Sequence, residues 1–363
     1  MVKSVVVLIL LTISSLPLSG QQQDCEAVLA EATDEFNAGH FYSIPSILDN
    51  CLTKFTSEQR LRAHLLLVQT YLLLDNPIGA KTSYLEVLKE NPEFVPNLEA
   101  LPIDVVYLSK QFTTDPIFSW FIKAGTNLSP IRVIYDLSAY GNTNVEENYD
   151  LKLGYQAALG GEFYKSERLG IRTEIGYVAT AFTHSTRNFF GNDKKDISER
   201  QHWLGLPVAI AYYSKRPRYK PYGYVGYEGS WLLKDVMNIN LSKVEGEDSS
   251  DQKSPDIDAT NKRNRINQSV LFGGGIKYKL GLDYLFVDLR YSFGLKNIVR
   301  PDALYADYSN DPISTDFIKS LEVISHYAHV DDYYRIDSIA ISVGFVRPIY
   351  KPRELKEGKT KTR

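Results

Sequence analysis

The residues best suited to chemistry gather near position 330, in Ser-His-Tyr-Ala-His-Val-Asp-Asp, where His326, His329, Asp331 and Asp332 could offer two imidazoles and a carboxylate to a metal. The spacing follows no ordered ligand motif, and a polar, acidic loop reads the same way as solvated surface. A second acidic stretch, Gly246 to Asp258, contains Glu-Asp-Ser-Ser-Asp but lacks the ligand order of a calcium-binding loop. His184 and His202 have no partner at a spacing that would make a nucleophile and its base. No catalytic residue, metal site or cofactor is assigned. Cys25 and Cys51 are the two cysteines, with no third Cys and no nearby His to complete a metal site. They are read as a disulfide between the start of a first helix and the end of a second, with two buried free thiols as the alternative.

The elements that would position these residues change character along the chain. Its 363 residues are 44% hydrophobic and 23% charged with a formal net charge of −3, which excludes a disordered chain and removes the electrostatic footprint of a nucleic-acid binder. Length alone points to two or three domains. Twenty-three Gly, 25 Tyr and 16 Phe against two Cys and two Met favour an all-β part and exclude a disulfide-dense scaffold. The first 20 residues read as an export signal: Lys3, an apolar run from Val5 to Leu18, then Ser19 and Gly20. A membrane anchor is the alternative, but Ser14, Ser15 and Pro17 break the run, which falls short of the roughly 20 residues a spanning helix needs.

From residue 21 to 113 apolar residues recur at helical spacing, as in Leu61, Leu65, Val68 and Leu72, then Ala80, Tyr84, Val87 and Leu88. With Tyr71 as the aromatic of one helix, Ala80, Tyr84, Val87 and Pro92 fall at the small, aromatic, small and proline positions of a tetratricopeptide (TPR) repeat, which this pair resembles. The preceding pair, built on Phe36, carries Pro45 and Asp49 where a small residue and an aromatic belong. The third stretch, Ile103 to Phe112, is expected to cap the array. Tyr71, Tyr84 and His64 are the candidate partner contacts on this helical domain.

After Pro116 the period becomes 2. Eight strands are expected, near 117–127, 149–164, 169–182, 201–214, 219–233, 266–279, 282–295 and 334–348. The links alternate between about four residues and long polar loops at 128–148, 183–200, 234–265 and 296–333. That alternation is the signature of an outer-membrane barrel. A lipocalin-like cup is the soluble alternative. Favouring the membrane, one strand face interleaves glycines with Lys123, Lys152, Glu162, Arg172, Glu174, Glu228, Lys277, Asp288 and Arg290, charges that suit a narrow lumen. Aromatics crowd the strand ends, among them Phe163, Tyr164, Tyr212, Tyr213, Tyr219, Tyr222 and Trp231.

The expected fold is therefore α+β and multidomain: an N-terminal TPR-like α-helical domain, then an eight-stranded antiparallel transmembrane β-barrel over 116–350 and a basic tail over 351–363. Leu206-Pro207-Val208, Tyr212-Tyr213, Pro221-Tyr222-Gly223-Tyr224-Val225-Gly226 and Tyr291-Ser292-Phe293-Gly294-Leu295 resemble the PorT-type outer-membrane barrel proteins. The resemblance implies an outer-membrane barrel tied in some members to type IX secretion and gliding. A non-enzymatic anchor follows as the expectation, in contact with outer-membrane lipid and with protein partners of an envelope complex. The helical domain and tail are expected in the periplasm. The alternatives are an adhesin or receptor acting through the long loops, or an outer-membrane enzyme. An omptin-like protease would need ten strands where this chain has eight.

Overall fold

The computed structural model describes residues 20–97, 99–137, 146–187, 194–214, 216, 218–245, 248–301 and 331–355. The expected signal segment lies outside the described residues save for Gly20, which begins the first helix. The chain divides into two compact units, one of residues 1–115 with 350–363, the other of 116–349.

The first unit holds α1 (Gly20–Ala38), α2 (Ile44–Asp49), α3 (Ser57–Leu73), α4 (Pro77–Glu90) and α5 (Ile103–Ser109). Thr56 starts α3 through a capping box with Gln59, and Asn76 starts α4 by accepting from the Gly79 N–H at 3.0 Å. Cys25 and Cys51 are joined in a disulfide, inside an apolar cluster with Leu29, Ile44, Leu48 and Leu67. A second cluster packs Val68, Ala80, Tyr84, Val87 and Leu88 against Val105, Leu108 and Phe112. Tyr71 touches both clusters, and a Cβ on Gly79 would come within 2.8 Å of its ring, so only glycine lets α4 approach so closely. The third helical stretch ends sooner than expected, since Phe112 and Thr113 leave the helix to pair with Arg353–Glu354, which follow the barrel segment.

The second unit is a ring of strands: β1 (Phe118–Leu128), β2 (Glu146–Tyr164), β3 (Leu169–Arg187), β4 (Lys194–Tyr213), β5 (Tyr219–Glu245), β6 (Ile266–Leu280), β7 (Asp283–Gly294) and β8 (Ser338–Ile349). Each pairs antiparallel with the next, and β8 closes on β1 with Ile349 opposite Phe118. Closure leaves no free edge among these eight. The turns β2 to β3 and β6 to β7 are tight, the latter through Gly281 at φ +63.

Alternation decides which face meets what. Leu206, Val208 and Ile210 of β4 are each more than half exposed, as are Ile171 of β3, Leu289 of β7 and Ile341 of β8. An outward band of aliphatic side chains on a closed barrel is a lipid-facing surface. Among the described residues no helix is long and apolar enough to cross a membrane.

Strands β4 and β5 run for 20 and 27 residues, well beyond the roughly 9 to 11 needed to span hydrocarbon. The sequence placed loops at 183–200 and 234–265, and much of both is strand. There the apolar residues, such as Ile197, Met237 and Ile239, are few among polar ones and face inward, so the long apolar alternation that marks the lipid-facing strands is missing while the ladder continues. The expected eighth strand is also divided. Tyr333–Ile336 pairs with Ile131–Tyr135, and Asp337 separates it from β8.

Lys152 corrects the reading of the lumen. A bulge between Lys152 and Tyr155 places an extra residue on β2 opposite β3, which reverses the parity of the strand and leaves Lys152 exposed. The aromatic ends also sort by parity. Phe163, Tyr212, Tyr219 and Trp231 face outward, whereas Tyr213 and Tyr222 are buried inside.

Candidate functional site: the closed lumen and its mouth

The eight other charges expected inside the barrel are all buried, four cations (Lys123, Arg172, Lys277, Arg290) and four anions (Glu162, Glu174, Glu228, Asp288). Glu174 sits at the centre, 2.8 Å from Lys123, Arg172 and Arg290. Glu162 pairs with Lys277, lies 3.5 Å from Arg172 and accepts from the Tyr164 hydroxyl at 2.5 Å. Asp288 accepts from the Tyr222 and Tyr224 hydroxyls at 2.7 and 2.8 Å. The Arg172 guanidinium stacks 4.3 Å from the Phe121 ring centre. Gly273 makes room for this packing, since a Cβ there would overlap the Tyr224 ring.

The described residues line at least two internal spaces. One of about 60 Å³ is lined by Gln156, Trp203, Glu228 and Arg290 among others, and one of about 20 Å³ lies beside Lys123, Glu174 and Gly205. They have room for a few waters and for no larger solute. An eight-stranded barrel filled by its own side chains is a plug rather than a pore.

Toward the long-loop end a second network closes the mouth. Arg263, fully buried, donates to Glu199 at 2.9 and 3.0 Å, to Asp235 at 2.9 Å and to Asp331 at 2.8 Å. Tyr334 donates its hydroxyl to Glu199 at 3.0 Å, and the Trp203 indole donates to Gln201 at 3.1 Å. Above it Ile197, Met237, Ile239, Ile257 and Ala259 form an apolar cluster. Apart from Asp331, none of these residues stood out in the sequence. The available signal was parity, since Glu199 and Gln201 alternate in register with Trp203 along β4.

The residues singled out from sequence are scattered. His326 and His329 lie outside the described residues. Asp331 binds Arg263, while Asp332 accepts from the Tyr149 hydroxyl at 2.7 Å and from the Leu137 N–H at 3.0 Å. In the acidic stretch, Asp256 accepts from Asn238 of β5 at 3.2 Å, and Asp258 caps the Thr260 N–H of the local turn at 2.9 Å. His202 lies 2.5 Å from the Tyr177 hydroxyl, and His184 stacks on Tyr149 with ring centres 4.3 Å apart.

On the helical unit, Tyr84 is almost wholly buried with its ring 5.2 Å from that of Phe112, a core position. Tyr71 is half-buried between the two clusters. His64 is half-buried on α3, and burial holds its imidazole below the usual range, against the opposing pull of Glu86 and Glu90. Glu90 bridges α3 and α4, accepting from Ser57 and Arg60 at 2.6 Å each.

A closed antiparallel ring with an aliphatic exterior and an ion-paired interior defines an outer-membrane β-barrel. The family profile described as "Outer membrane protein beta-barrel domain" matches residues 117–300, and the chain belongs to that family. No curated protein matches the sequence. Among solved structures, OprG from Pseudomonas aeruginosa is similar at 12% identity and a TM-score of 0.33, covering 67% of this chain and 99% of its own. Ail of Yersinia pestis, solved with a heparin analogue, shows 10% identity and a TM-score of 0.25 over 63% of this chain and 98% of its own. The protease OmpT of Escherichia coli shows 10% identity and a TM-score of 0.29, covering 66% and 98%. Likeness at this level adds no argument about function.

Proposed function

We propose that the protein is a non-enzymatic outer-membrane anchor whose barrel holds a TPR-like helical domain as an accessory or scaffold subunit of an envelope machine, for protein secretion, gliding or outer-membrane protein assembly. One observation carries the reading: the lumen is closed by ion pairs running from wall to wall, which leaves surfaces rather than a channel to do the work. Phe118 and Ile349 pair, so the barrel starts and ends at its short-turn end. In outer-membrane barrels that end is periplasmic, and the helical domain and the tail are assigned there with it. The tetratricopeptide pattern suits capture of a protein partner, and the PorT-type resemblance agrees with a secretion or gliding assembly.

The test uses the full chain with a tag appended beyond Glu354. Outer membranes are extracted in mild detergent, and co-purifying proteins are identified by mass spectrometry. Recovery of one envelope complex in fixed ratio, lost when residues 24–112 are deleted, supports the anchor. Recovery of the protein alone refutes it.

A second reading, a surface adhesin or receptor, is favoured by the folded extension of β4 and β5 beyond the lipid-facing band. It predicts that trimming 296–333 abolishes the cellular phenotype while deleting 24–112 leaves it unchanged.

A further inference from the structure

At the long-loop end of the barrel, Glu147 of β2, His184 of β3 and Asp332, just before Tyr333, bring a ligating atom each to within 4.8 Å of one another. Strand register makes the meeting specific. Glu147 lies opposite Thr186, and Tyr149 opposite His184, so the side chains of Glu147, Tyr149 and His184 share one face. His184 and Asp332 are more than nine-tenths buried. Their orientation is fixed by a common neighbour: the Tyr149 ring stacks on the imidazole at 4.3 Å and 3°, and its hydroxyl donates to Asp332 at 2.7 Å. A hydrogen bond that fixes a ligating carboxylate, as Tyr149 gives Asp332, is an outer-shell feature of protein metal sites.

We infer that Glu147, His184 and Asp332 form a binding site for a divalent transition-metal ion, of the zinc or manganese class, at the mouth of the barrel. Glu147 Oε2 and His184 Nε2 are 3.7 Å apart. Two ligands of one tetrahedral ion at about 2.1 Å each lie about 3.4 Å apart, so a small side-chain rotation completes the geometry. One imidazole and two carboxylates select transition metals over calcium or magnesium, which prefer all-oxygen shells.

Lys195 faces the same group. It is buried on β4 opposite Thr186, and Glu147 and Asp332 are the carboxylates that act on it. The ion takes the place of the Lys195 ammonium as counter-charge to the two carboxylates, so metal and lysine compete.

The competition supplies the test. Purified full-length protein in detergent, stripped with a chelator, is titrated calorimetrically with Zn²⁺, with Mn²⁺ and with Ca²⁺ as control. One equivalent of Zn²⁺ or Mn²⁺ is expected to bind in preference to Ca²⁺. His184→Gln and Asp332→Asn should weaken it by at least about tenfold, and Lys195→Met should tighten it. No transition-metal binding at millimolar metal, or binding that survives both His184→Gln and Asp332→Asn, overturns the assignment. Should those two variants fail to fold, Lys195→Met decides: unchanged or weaker binding overturns the site. None of these outcomes depends on whether the helical domain has a partner.

Discussion

Arg290 on β7 and Glu174 on β3 stand on opposite sides of the eight-strand ring, yet one guanidinium nitrogen donates to both carboxylate oxygens at 2.8 Å. The bond spans the lumen from wall to wall. Glu174 also neutralises Lys123 and Arg172, so one anion holds three buried cations.

Glu174→Gln should therefore destabilise the barrel by about 3 to 5 kcal/mol, because the cations lose their shared counter-charge in a site that water barely reaches. Urea unfolding in detergent, followed by tryptophan fluorescence, measures this. A loss below about 1 kcal/mol would mean that the network relaxes onto Glu162 and Asp288.

Arg263→Met leaves Glu199, Asp235 and Asp331 buried together without their cation. The expected result is faster proteolysis at the long-loop end, with the lipid-embedded strands still protected. Equal cleavage rates in the variant and the parent would refute a clamping role for this arginine.

Replacing Cys25 and Cys51 by serine removes a cross-link between residues 26 apart. Loop-closure entropy puts the loss at about 3 kcal/mol for the helical unit, read as earlier melting of its helical signal. The denatured, unreduced parent should show no free thiol.

The eight strands and their alternating links were legible because lipid on one side and a packed lumen on the other impose a strict period of 2. Lys152 escaped because a single inserted residue reverses parity without changing composition. The Arg263 network escaped for another reason: Glu199, Asp235, Arg263 and Asp331 come from separate strands and loops, and only closure of the ring brings them together. The burial of Tyr84 was not legible, because repeat spacing marks a position in the motif and not the face covered by α5 and Phe112.

His64 makes the helical unit sensitive to pH. Burial lowers its pKa in the fold, so below about 6.5 the unfolded chain takes up the proton first. Stability is complete above that value and declines as pH falls toward the folded pKa. Helical melting compared at pH about 7.5 and about 5.5 should show the decline, and His64→Gln should flatten it.

The pairing of Phe112–Thr113 with Arg353–Glu354 has a consequence for the order of events in synthesis. The helical unit draws on chain made before the barrel and on chain made after it. Helices α1 to α5 can form as soon as they emerge, but the strand that pairs with Phe112–Thr113 arrives only after the whole barrel has been made. The barrel's own seam, β8 on β1, waits almost as long. A ribosome that stops at residue 349 would release a chain able to close its ring and unable to complete the domain that precedes it.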